Sequence, residues 1–176
     1  MPEETRNAPP LTFADVIQKT QENLLTRGSL APTVIAEGDH QRVMVKLEPI
    51  APTYEGRSHQ MFFLGLMLAQ SGEVGVLQQV FFISEAWMSV RELGQPLEQP
   101  PSQDPQRQEV VIVAHHTLRP PTTEVVVFAM KRDAQGGVVG LEALDAQEKP
   151  SESEARSPLV EAFIIGFLGS TSTPDD

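Results

Sequence analysis

The sequence predicts an α+β fold: a two-layer sandwich in which helices pack on one face of a mostly antiparallel sheet. Two observations carry this expectation. Apolar residues recur at helical spacing in residues 13–24, whereas period-two alternation dominates from residue 77 to residue 144. The connections between successive strand patterns are short and turn-like, which favours hairpins and therefore an antiparallel meander. The expected order is α-β-β-α-β-β-β-β, followed by one apolar segment of ambiguous type.

Residues 1–10 are charged, then Ala8-Pro9-Pro10, and read as a disordered tail. The first helix carries its own boundaries. Thr12 suits the N-cap with Asp15 three residues later, and Gly28 suits a C-terminal stop. Phe13, Val16, Ile17, Thr20 and Leu24 form its apolar stripe. Residues 33–37 and 42–48 then read as a hairpin, with Val43, Val45 and Leu47 alternating against Arg42, Met44 and Lys46. Gly38-Asp39-His40-Gln41 supplies the turn.

The second helix is expected over residues 56–71. It is apolar on nearly every side, which predicts burial against the sheet and against a second subunit. Gly65 in its middle lowers helix stability by about 1 kcal/mol, so it implies close backbone packing, here expected against the sheet. Strands follow at 77–90, 109–118, 123–132 and 138–144, the last two joined by the turn Asp133-Ala134-Gln135-Gly136-Gly137. Residues 94–108 hold four prolines and read as a mobile polar loop. Residues 145–157 read as an acidic, Ser-rich loop. Residues 159–168 are rich in β-branched and aromatic side chains, which favours a strand over a helix. Residues 169–176 read as a second disordered tail, leaving one domain over 11–168.

Composition excludes several functions. With 24 acidic and 13 basic residues the formal charge is −11, so phosphate backbones and anionic membrane surfaces are repelled. Neither nucleic acid nor membrane is expected as a partner. The chain has no cysteine, which removes disulfides, thiol nucleophiles and thiolate metal sites. Residues 1–5 lack an apolar stretch, so no secretory signal is expected and a cytoplasmic location is the default. No phosphate-binding loop, nucleophile elbow, zinc-protease motif or dinucleotide fingerprint occurs. No cofactor and no metal site is expected.

Four groups of polar residues remain. Glu85 stands in an apolar strand beside Ile83 and Trp87. A desolvated carboxylate there would suit a general acid, and a surface or ion-paired glutamate is the simpler reading. His115 and His116 are adjacent on a strand and point to opposite faces, so they cannot share a metal ion without a bulge. They read as half-exposed strand-end histidines. Arg57 and His59, at the expected start of the second helix, could meet an anion, with Thr53 or Ser58 as the cap. Glu37, Asp39 and His40 could face a hard cation, although acidic turns are usually empty.

The leading functional expectation is a non-enzymatic binding or self-assembling domain, most naturally a homodimer, because two segments are more apolar than a monomer needs. The alternative is a small-ligand binder or hydrolase-like enzyme in which Glu85, His115 and His59 converge, with Arg57 and Trp87 as ligand contacts. A basic protein partner for the acidic surface is a third reading.

Overall fold

The computed structural model describes residues 9–89, 100–144 and 157–170. The tails at 1–8 and 171–176, most of the acidic loop at 145–157, and the first part of the 94–108 loop lie outside the described residues. Helix α1 (Phe13–Arg27) begins at a capping box in which Thr12 and Asp15 bond reciprocally, and it ends at Gly28 with φ 77°. Strands β1 (Thr33–Gly38) and β2 (Arg42–Lys46) form the expected hairpin. Helix α2 (Tyr54–Ser71) precedes the long strand β3 (Leu77–Met88). Strands β4 (Gln108–Leu118), β5 (Pro121–Arg132) and β6 (Val138–Ala143) complete the meander, and helix α3 (Pro158–Gly169) follows.

All five strand pairings are antiparallel, in the order β2-β1-β3-β4-β5-β6. The α+β class and the open antiparallel sheet are therefore as the sequence predicts. Strand β1 lies between β2 and β3, so α2 carries the chain over β1 from one neighbour to the other.

Two features differ from expectation. The helices do not share one face. Phe82, Val34 and Ala36 pack with α2 and α3, whereas their chain neighbours Phe81 and Ile35 pack with Val16 and Leu24 of α1. Successive strand side chains point to opposite sides, so α1 covers one face and the α2–α3 pair covers the other. The molecule has three layers. Second, residues 158–169 are helical. Val160, Phe163, Ile164 and Phe167 are all buried, which is the i, i+3, i+4, i+7 stripe of a helix despite the strand-like composition.

Gly65 does permit close approach, but to α3 and not to the sheet. A side chain on Gly65 would collide with the Phe163 carbonyl, and one on Gly166 would collide with the Phe62 carbonyl. The two glycines thus let the two backbones touch reciprocally. Nor is α2 buried on most sides: Met61, Gly65 and Leu68 face inward, while Phe63 and Met67 are exposed. Part of the proline-rich loop is also ordered by contacts. A 3₁₀ turn at Pro101–Gln103 leads to Asp104, which is buried, and Arg107 lies over the Trp87 ring at 4.6 Å.

Candidate functional site

On the α1 face, one end of the sheet carries a line of polar side chains running across five strands. Arg42 Nη2 of β2 donates to Glu37 Oε1 of β1 at 2.7 Å. Glu37 Oε2 accepts from Gln79 Nε2 of β3 at 2.6 Å and from the Leu11 backbone N–H at 3.2 Å. Gln79 Oε1 faces His115 Nε2 of β4 at 2.8 Å, and His115 Nδ1 faces Glu124 Oε2 of β5 at 3.1 Å. The register explains the alignment: Glu37 pairs with both Arg42 and Gln79, and His115 pairs with Glu124. Gln79 also donates to the Leu11 carbonyl, and Arg42 to the Pro9 carbonyl, so the chain entering α1 is tied down over this line.

His115 is consequently buried, not half-exposed as the sequence suggests. Its ring stacks on Phe81 at 4.3 Å and on Phe13 at 5.4 Å. Both ring nitrogens and both faces are occupied, which leaves no side open to a substrate. Its chemistry is that of a structural tie.

Glu85 has a similar role at the other end of the same face. Its Oε1 accepts from the Leu30 backbone N–H at 2.6 Å. Nearby, Arg132 holds Glu109 through two hydrogen bonds, one of 2.7 Å from Nε, and donates to the Gly28 and Gly136 carbonyls. The guanidinium keeps the Glu109 carboxyl below its usual range, and Arg132 is correspondingly raised. Glu85 and Arg132 together fasten the segment that leaves α1.

The remaining sequence candidates do not join these two. His59 is exposed on α2, on the far side of the sheet from His115 and Glu85. The helix starts two residues earlier than expected, with Thr53 Oγ1 accepting from the Gly56 N–H, so Arg57 and His59 are not at its tip. Arg57 Nε donates back to the Thr53 carbonyl. Trp87 is 44% exposed, and Arg107 lies over one face of its ring. Glu37 belongs to the polar line, and Asp39 Oδ1 accepts from the Val76 N–H at 2.6 Å, so the acidic turn is internally bonded. His116 points to the α3 side, where Nδ1 meets Thr123 Oγ1 at 2.7 Å and burial lowers its pKa below 6.5.

Sequence reasoning missed a groove of about 260 Å³ between α1 and the β1–β2 hairpin. Its floor is Val16, Ile35 and Ile83, and Met44 forms an exposed wall. Lys19 and Arg27 border it from α1, and Arg42 and Lys46 from β2. The available signal was the alternation of Arg42, Met44 and Lys46 on one strand face. With α1 on that face, the same residues line a cleft.

A search of known proteins adds no relative: no family model, no curated protein and no solved structure matches this chain.

Proposed function

We propose that this chain is a non-enzymatic binding domain that self-associates in the cytoplasm through the outer surface of α2 and α3. The observation supporting this is the apolar character of that surface. Phe63 and Met67 on α2 are 57% and 65% exposed, and Ile165 and Leu168 on α3 are 62% and 45% exposed. Both helices have already met their inward demands through the sheet and through the Gly65–Gly166 contact. Four large apolar side chains left in water on one helix pair favour an isologous contact between copies. The lack of cysteine suits a reducing compartment. Among the described residues no helix is long and apolar enough to cross a membrane.

An enzymatic reading has less support, because Glu85 and His115 are committed to backbone and side-chain partners and His59 stands on the opposite face. Sedimentation equilibrium across the micromolar range tests the proposal. A dimer is expected, and Phe63→Lys combined with Ile165→Lys should give a monomer with an unchanged far-UV spectrum. A wild-type chain that stays monomeric throughout that range overturns it.

A further inference from the structure

The α1–β2 groove has a composition that neither the core nor the self-association surface requires. Its inner surface is apolar, and two of its bordering cations are uncommitted. Arg42 is neutralised by Glu37, and Lys19 pairs with Glu22. Arg27 and Lys46 are both exposed and, among the described residues, make no ion pair. They also lie at the same end of the groove. Arg27 closes the last turn of α1, and Lys46 pairs in register with Thr33, just beyond the loop leaving that helix. The opposite end is anionic: Asp15 sits in the first turn, about 18 Å away along the helix axis at 1.5 Å per residue.

From this polarity we infer that the groove binds a single-chain carboxylate amphiphile, with its carboxylate between Arg27 and Lys46 and its chain along Val16, Ile35 and Ile83. Each part of the ligand follows from a feature of the groove. A chain with net charge −11 repels anions at long range, so two free cations facing one apolar cleft form a local exception that selects an anionic head. Asp15 repels that head from the far end and sets the orientation. The volume, about 260 Å³, is at the lower limit for small-molecule pockets, which admits one alkyl chain and not the two of a membrane lipid. Met44, 60% exposed on the edge strand, would be covered by the bound chain. This site is on the α1 face and is independent of the α2–α3 surface proposed for self-association.

The full chain with ¹³C-methyl methionine, stripped of bound lipid, provides the test. Dodecanoate is titrated below its micellar concentration, with dodecanol and dodecylammonium as controls. The expected result is a saturable shift of the Met44 methyl, with little change at Met67 on the other face. Dodecanol and dodecylammonium should bind at least about tenfold more weakly than dodecanoate. Arg27→Glu and Lys46→Glu, both at exposed positions, should each weaken dodecanoate about tenfold with an unchanged far-UV spectrum. Four results would overturn the inference: no saturable Met44 shift, a shift confined to Met67, equal affinity for the alcohol, or indifference to both charge reversals. A Met44 shift that follows protein concentration instead of dodecanoate would also overturn it, placing a second copy of the chain in the groove.

Discussion

The two faces of the sheet are held by different physics. On the α2–α3 face the contacts are dry: Val34, Ala36, Val80 and Phe82 meet Met61, Phe163 and Phe167, and two glycines bring the helix backbones together. On the α1 face an apolar centre is flanked at both ends by polar ties, with Glu37, Gln79 and His115 at one end and Glu85, Glu109 and Arg132 at the other. Dispersion and burial are non-directional and tolerate only changes that preserve volume. Hydrogen bonds are directional and fail when one partner is left unpaired. The difference explains why a lone helix can be held on one face while the other needs two. Ties at its entry and exit position α1 without requiring it to cover the β2 side, and the uncovered strip is the groove.

The sharpest way to break this comparison is to add volume to the dry face. Gly65→Val would drive a side chain into the Phe163 backbone, where no flexible atom can give way. Overpacking of this kind costs about 3 kcal/mol, read as a lower urea midpoint with an unchanged slope. A loss below about 1 kcal/mol would mean that the helix pair slides freely and that the glycine contact is incidental.

The corresponding test on the α1 face removes a partner. Glu37→Leu leaves the Leu11 N–H and the Arg42 guanidinium without their shared acceptor. The expected loss is about 2 kcal/mol, and adding Arg42→Met should return part of it, since deleting both partners costs less than stranding one. A double variant no more stable than the single would show that Arg42 had found water unaided.

How much of this was legible in the sequence depends on the residue. Thr12, Asp15 and Gly28 marked both ends of α1, because caps are local chemistry. The strands were legible through alternation. Helix α3 was not, since Ile164, Ile165 and Phe167 favour strands by composition, and only the spacing of Val160, Phe163, Ile164 and Phe167 reveals the helix. The placement of α1 was written in Phe81-Phe82: two large apolar neighbours on one strand require both faces to be covered. Glu85 was legible as unusual, but its partner, the Leu30 N–H, is 55 residues away and no local pattern announces it. The groove was invisible until α1 had been placed.

Acid probes the exit tie through Glu109, whose carboxyl the Arg132 guanidinium holds low. Arg132 and Glu109 are 26% and 21% exposed, so solvent reduces their coupling below that of a fully buried pair. Arg132→Met should cost about 1–2 kcal/mol at neutral pH. Because Glu109 titrates below 4.5 when folded, the stability it supplies is complete above that value and is lost as pH falls through the lower, folded value. Urea melts at neutral and acid pH should therefore show the penalty of Arg132→Met shrinking in acid. A penalty independent of pH would assign the role of Arg132 to its bonds with the Gly28 and Gly136 carbonyls instead.

The smallest effect is expected at His116, a histidine on the α3 side whose burial shifts it. Burial lowers its pKa, Glu161 opposes the shift, and His115 on the opposite face adds to it. The neutral ring is thus favoured on folding. The unfolded chain binds its proton near 6.5 and the folded chain only at lower pH, so stability declines as pH falls from 6.5 to the folded value and is flat below it. An NMR titration of the ring should give a midpoint below 6.5, and His116→Asn should remove that part of the pH dependence without altering the acid limb to which Glu109 contributes. A midpoint at or above 6.5 would mean that Glu161 outweighs burial, and that the dry face admits a charge where the comparison of the two faces says it should not.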